Sequence, residues 1–317
     1  MRVAVLGPGG VGGLVAGALD RAGEGVVVVA RESTAEAIIA HGLRVKSVTL
    51  GDFVAHPRAV VQLQEPVDAL IVATKAAGLE PALARIAVAS SPEGDATVVL
   101  PLLNGLDHLA VLRERFTADS VLAGSIRVEA DRPQPGVVVH TSPFLLISMA
   151  GSDDAIRPAM GALADVLSAA GIPVRVQDSE AQVMWSKLVR LNALACTTSA
   201  YDKQMGEIRS TPVLRAQLVG AIEEACAVAK AEGAQDVDPA KAIAELEATH
   251  DTLGSSMQRD IAAGREPELD AIPGAVLRAG VQHGLKCPTI ERLVAMIEER
   301  IAGGSRSPAG ARSSSGC

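Results

Sequence analysis

At 317 residues the chain is long enough for two domains, each able to bury its own core. Hydrophobic residues make up 48% and aromatics only 2%, so those cores are aliphatic. The net charge of −8, from 29 Lys and Arg against 37 Asp and Glu, argues against a general binder of nucleic acid or anionic membranes.

Cys196, Cys226, Cys287 and Cys317 and the six histidines are scattered. They form neither metal-ligand spacing nor a disulfide framework, so no structural metal is expected and a reducing cytoplasmic setting fits. Nothing resembles a signal peptide, since the first strand begins at residue 2, and no apolar run reaches the length of a membrane span.

Val3 to Leu6 is a short, β-branched apolar run, as a buried parallel strand would be. Gly7-Pro8-Gly9-Gly10-Val11-Gly12 follows with G-x-G-x-x-G spacing. Val11, Leu14, Val15, Ala18 and Leu19 then fall on one helix face. Asp20, Arg21 and Gly23 close that helix, and Val26 to Val29 makes a second strand. Gly7 allows the tight turn, Gly9 lets backbone approach a pyrophosphate, and Gly12 lets helix and strand pack closely. Strand, glycines, helix and strand in order supply the context that a dinucleotide motif demands.

Arg31 ends the second strand, beside the position of an adenosine ribose. An arginine there pairs with the 2′-phosphate of NADP, so NADP(H) is favoured over NAD, with Glu32 next to it and a solvated surface arginine as the alternative.

Ser33 or Thr34 is expected to cap a short helix to His41, and residues 42 to 64 mix short β-rich pieces with turns. Asp68 to Thr74 reads as a buried strand ending at Lys75, and a helix is expected over 78 to 87. Ala96 to Leu100 is the next strand, followed by Pro101-Leu-Leu-Asn104-Gly105 and a helix to Phe116. Val121-Leu122, Val137 to His140 and Phe144 to Ser148 read as strands extending the edge of the sheet. A helix over 156 to 170 and a strand over 172 to 176 complete the pattern. The fold class is therefore α/β: an N-terminal Rossmann-type doubly wound domain, residues 1–178, followed by an all-helical domain, 179–302. Helices are expected at 179–200, 211–232, 239–249, 251–263, 270–283 and 289–302. Residues 303–317 form a low-complexity tail expected to be disordered.

The helix at 179–200 carries an anomaly. Val183, Met184, Leu188 and Leu191 share a face, and Lys187 projects into its middle. A lysine there costs desolvation unless it is paired or lines a cleft, and such lysines often do chemistry. Snorkelling to solvent is the alternative.

Val5-Leu-Gly-Pro-Gly-Gly-Val-Gly12, Lys75, Asn104-Gly105, Trp185-Ser-Lys187-Leu188, Gly206-Glu-Ile-Arg-Ser210, Ser255-Ser-Met257 and Glu268-Leu-Asp270 occur in the order seen in ketopantoate reductases (2-dehydropantoate 2-reductases). Over residues 1–302 the chain resembles that family. The resemblance implies NADPH-dependent reduction of a 2-keto acid to a 2-hydroxy acid, as in pantothenate biosynthesis. Lys187 matches the family lysine that gives a proton to the carbonyl oxygen, in keeping with the need to neutralise a developing alkoxide. Asn104 matches the asparagine between nicotinamide and substrate, Ser256 the serine contacting substrate, and Glu268 the acid near the nicotinamide end. Lys75 matches a cofactor-side lysine, and Ala130 a backbone contact to the cofactor. Read without the resemblance, Asn104-Gly105 is a turn, Ser256 a helix cap and Glu268 a solvated first-turn acid.

The chain departs from the family after Lys187. Asparagines expected four and eight residues on are Leu191 and Ala195, and Asn192 is displaced by about 100° around the helix. Arg190, closer to Lys187 in projection, is a candidate for binding a carboxylate, and Leu103 replaces the polar residue often found before Asn-Gly. The substrate is thus a small 2-keto acid, ketopantoate or another. A β-hydroxyacid or opine-type dehydrogenase and a non-catalytic NADP sensor are the other readings. No nucleic-acid or membrane partner is expected, and the apolar helical domain is compatible with a homodimer.

Overall fold

The computed structural model describes residues 1–87, 97–151 and 153–304. The chain divides into two compact units, Met1–Leu188 with Gly233–Asp236, and Val189–Glu232 with Val237–Cys317.

In the first unit β1 (Arg2–Leu6), α1 (Gly10–Arg21), β2 (Gly25–Val29), α2 (Glu32–His41), β3 (Leu43–Ser47), β4 (Phe53–Ala55), β5 (Arg58–Val60), β6 (Ala69–Val72), α3 (Leu79–Leu83), β7 (Val98–Pro101) and α4 (His108–Arg115) follow one another. A five-stranded sheet runs in the order β5-β2-β1-β6-β7, with every pairing parallel. The pleat sorts β1 into two layers. Val3 and Val5 join Leu14, Val15, Leu19 and Ile38 of α1 and α2 on one side. Ala4 and Leu6 join Leu79 and Leu83 of α3 and Leu112 of α4 on the other. Burial on both faces explains why these strands are unbroken aliphatic runs. The expected strand from Ala96 is observed from Val98, and residues 88–96 lie outside the described residues.

β8 (Ala123–Arg127), β9 (Ala130–Gln134), β10 (Val137–His140), β11 (Leu146–Ala150), α5 (Arg157–Ala169) and β12 (Val174–Val176) come next. They do not form one edge extension, as the sequence suggested. β10 and β9 join a four-stranded sheet, β4-β3-β10-β9, while β8 and β11 join β12 in a three-stranded one. Among the described residues the latter is the one bridged to the main sheet: Val121 bridges Val99, and the Leu122 N–H donates to the Val99 carbonyl at 2.9 Å. The four-stranded sheet lies on the small-residue face of α1, where a Cβ at Gly13 would sit 2.5 Å from Val138 and one at Gly17 2.8 Å from Val45.

Other local expectations shift as well. Arg31, not Ser33 or Thr34, occupies the N-cap of α2, with no side-chain cap. The helix expected over 78 to 87 is a 3₁₀ turn, Ala76–Gly78, and the five residues of α3.

α6 (Glu180–Tyr201) begins in the first unit and the division falls within it. α7 (Met205–Ser210), α8 (Pro212–Ala231), α9 (Pro239–Glu247), α10 (Ser256–Ala262), α11 (Ala275–Gln282) and α12 (Pro288–Gly304) build the second unit. Buried Leu218, Ile222, Ala225 and Val228 make α8 its centre, with α7, α9, α11 and α12 packed against it. Gly303 and Gly304 continue α12, and the rest of the expected tail, 305–317, lies outside the described residues. A π-helical turn, Asp270–Gly274, carries Pro273 and leads into α11. No helix of the described residues is long and apolar enough to cross a membrane.

Candidate functional site

The glycine-rich turn is held from both ends. The Gly7 N–H donates to the Val29 carbonyl at 3.1 Å and the Gly9 N–H to the Gly7 carbonyl at 2.8 Å. Gly7 has φ +89°, a left-handed conformation natural to glycine. A Cβ at Gly12 would overlap the Gly7 carbonyl, and one at Gly10 would overlap the carbonyl of Ala130. So Ala130, expected near the cofactor, is packed on this turn through its backbone. At Gly9 nothing lies within 4 Å of such a Cβ, so its outward side is open.

A buried network fixes Ala130's strand. The Ser47 hydroxyl accepts from the Leu50 N–H at 2.9 Å and lies 2.8 Å from Nδ1 of His140. The Thr49 N–H donates to the same oxygen at 3.3 Å, so both lone pairs are taken, the Ser47 hydrogen points to Nδ1, and the imidazole proton is left on Nε2. Nε2 lies 3.1 Å from the Ser142 oxygen, which accepts from the Glu129 N–H and donates to the Phe144 carbonyl. Burial lowers the His140 pKa, in keeping with a neutral ring.

Arg31 and Lys75 are exposed at the carboxyl ends of β2 and β6. Thr74, beside Lys75, brings its methyl within 2.8 Å of a Cβ at Gly7, and its buried hydroxyl has no partner among the described residues.

The structure brings Lys187 to Asn104. Val183 and Met184 of α6 bury against Ala123 and Ala150, with Leu106 and Leu109 packed alongside. Arg113 of α4 pairs with Glu180 at the start of α6 at 2.5 Å. This seating directs Lys187, one turn on and half-buried, to the loop after β7, where its Nζ donates to Asn104 Oδ1 at 2.9 Å. His108, four residues after Asn104, is 4% exposed, and its Nε2 has no partner among the described residues. Desolvation, and then the charge of Lys187, pushes its pKa down to about 4. The sequence reading missed His108, although a polar residue so close to Asn104-Gly105 was a usable signal.

The other predicted residues belong to the second unit. Ser256 is exposed, and the capping falls to its neighbour Ser255, whose hydroxyl accepts from the Gln258 N–H at 3.0 Å and from Thr198 at 2.8 Å. Glu268 is half-buried, its carbonyl bonded by the Ile272 N–H at 3.0 Å. Arg190 is paired with Glu245, so the idea that it receives a substrate carboxylate loses its ground. Asn192 is fully buried, with its Oδ1 3.5 Å from Cys196 Sγ.

Residues present at the turn fit a dinucleotide: an open backbone at Gly9, close packing at Gly10 and Gly12, and an orphaned Thr74 hydroxyl. A doubly wound parallel sheet with a glycine turn at its first crossover, a lysine–asparagine pair and a following helical region defines an α/β oxidoreductase. Two family profiles, described as "Ketopantoate reductase PanE/ApbA" and its "C terminal" part, match residues 3–147 and 179–300. A 2-dehydropantoate 2-reductase of Halobacterium salinarum is 30% identical over 304 residues, 94% of this chain and 98% of that protein. A PanE/ApbA family ketopantoate reductase of Ralstonia eutropha superposes with a TM-score of 0.83 at 28% identity, covering 96% of this chain and all of that one. A D-mandelate dehydrogenase, solved with NADH and anilino(oxo)acetate, superposes at 0.86 with 24% identity over 96% and 99% of the chains, which speaks to the fold alone. The chain belongs to the ketopantoate reductase family and is an oxidoreductase.

Proposed function

We propose that the protein is an NADPH-dependent reductase of a 2-keto acid, with ketopantoate the first substrate to test. The observation that carries this reading is the hydrogen bond of Lys187 Nζ to Asn104 Oδ1 at 2.9 Å, on a helix face seated by the first unit's own core. NADPH, when bound, supplies a hydride. Gly7, Pro8, Gly9, Gly10, Val11 and Gly12 would hold its pyrophosphate, and Arg31 its 2′-phosphate, with Lys75 and the Ala130 backbone alongside. Asn104 fixes the ammonium of Lys187, which carries the proton that the carbonyl oxygen needs as it becomes an alkoxide. Ser256 and Glu268 are assigned to the substrate and nicotinamide ends on the family pattern. Full-length protein assigned in this way should oxidise NADPH with a keto acid, and Lys187→Ala should lower that turnover about 10²-fold or more. Turnover within a few-fold of wild type would remove Lys187 from the role.

A second reading concerns only the substrate. Leu191 and Ala195 stand on α6 one and two turns after Lys187, in place of asparagines. Leu191, half-buried, favours a keto acid with an apolar side chain over one bearing a hydroxyl, because a hydroxyl would lose its partner, while Ala195 is fully buried. Turnover of ketopantoate against 2-keto acids with apolar side chains separates the two.

A further inference from the structure

The end of β2 carries more charge than the dinucleotide motif itself requires. Arg85 lies just after α3. Its Nη1 donates to the carbonyl of Val61, after β5, at 3.1 Å and to that of Ala30, after β2, at 3.4 Å. The same nitrogen stands 3.6 Å from the carboxylate of Glu32. These contacts tether the guanidinium through Nη1 to the ends of β2 and β5. Arg31 directly follows Ala30. Arg85 thus stands by the Glu32 carboxylate at the ends of adjacent parallel strands, with Arg31 next to Glu32 in the chain.

Electrostatics says the same. The Glu32 carboxyl is held below its ordinary value first by a backbone hydrogen bond, then by Arg85 and, more weakly, by Arg31, so both cations act on one point. The cluster has a net charge of about +1, which a phosphate monoester of −1.5 to −2 more than offsets. Bidentate recognition of such a group is what a pre-set guanidinium does well.

We infer that Arg85 is a second cation of the 2′-phosphate site, clasping that group with Arg31 while Glu32 serves as its counter-ion when the site is empty. The inference rests on the NADPH reading and deepens it. It makes cofactor choice depend on a residue remote in sequence from the glycine turn. Glu32, 71% exposed, is free to move away from an incoming phosphate, whereas Arg85, 30% exposed and tied to two carbonyls, stays in place.

The test is calorimetric titration of the full chain with 2′,5′-ADP and 5′-AMP, which needs no turnover. Wild type should prefer 2′,5′-ADP. Arg85→Gln should weaken 2′,5′-ADP about tenfold and 5′-AMP by less than about twofold. Glu32→Gln, which removes the competing anion, should tighten 2′,5′-ADP a few-fold. The unchanged 5′-AMP affinity shows that the variants are folded. An equal loss of both ligands on Arg85→Gln makes Arg85 a brace for the strand ends and overturns the inference. If Arg31→Ala discriminates between the ligands and Arg85→Gln does not, the Arg85 assignment falls and the NADPH reading stands. If wild type binds both equally, or Glu32→Gln weakens 5′-AMP, the site reads a ribose hydroxyl, and both fall.

Discussion

Replacing His108 with Gln should flatten the stability of the first unit against pH. His108 is 4% exposed and its pKa is pushed from 6.5 to about 4, by burial first and by Lys187 second. The folded unit therefore resists a proton that the unfolded chain accepts. The stability this confers is present in full above the unfolded value of 6.5 and is lost as pH falls through the folded value. With these two values, the linkage relation gives a loss of about 2 kcal/mol between pH 7 and pH 5, growing to ~3 kcal/mol below pH 4. Trp185, the chain's one tryptophan, is 2% exposed on the same stretch of α6. Its fluorescence follows urea unfolding of the unit that holds His108. His140, whose pKa is also lowered by burial, and the carboxylates act in both proteins and cancel in the comparison. The variant should start less stable at pH 7 and lose about 2 kcal/mol less than wild type on going to pH 5. Parallel pH profiles, agreeing within ~0.5 kcal/mol, would show that His108 is protonated without cost and refute the buried, neutral imidazole.

Two further outcomes follow from packing. Gly12→Ala places a methyl against the Gly7 carbonyl, where backbone has nowhere to move. It should cost about 3 kcal/mol in urea unfolding and abolish calorimetric binding of 2′,5′-ADP; wild-type stability and binding would contradict the geometry. Cys196, Cys226 and Cys287 are buried, and burial pushes their thiols up to about 12, 11 and 11. Peptide mass mapping after iodoacetamide at pH 8 should find all three unmodified in native protein and alkylated in urea.

The parts of this fold that sequence exposes are those whose cause is local. Val3–Leu6, the glycines and the face of α1 announce themselves because a buried strand and an amphipathic helix each carry their own period. Lys187 stood out for the same reason, as a charge inside an apolar stripe. What stayed hidden depends on partners far along the chain. β3 pairs in parallel with β10, a neighbour that no short-range pattern specifies. α7 has six residues, too few for a periodic signal. His108 is buried by tertiary packing although its own helix has little amphipathic character. Arg85 gains meaning only from carbonyls brought beside it by two strands. Between Ser255 and Ser256 the pattern does not say which hydroxyl turns inward, and packing assigns that place to Ser255.

The packing of Ala130 on Gly10 also bears on how the protein is made. The glycine-rich turn spans residues 7 to 12, yet one of its walls is a peptide group synthesised much later. Ala130 reaches it only when β9 pairs with β10 and β10 with β3. Such a non-local closure is slow compared with forming a helix or hairpin. On the ribosome the motif emerges well before this wall, so a nascent chain ending before His140 carries the whole glycine signature without its completed wall.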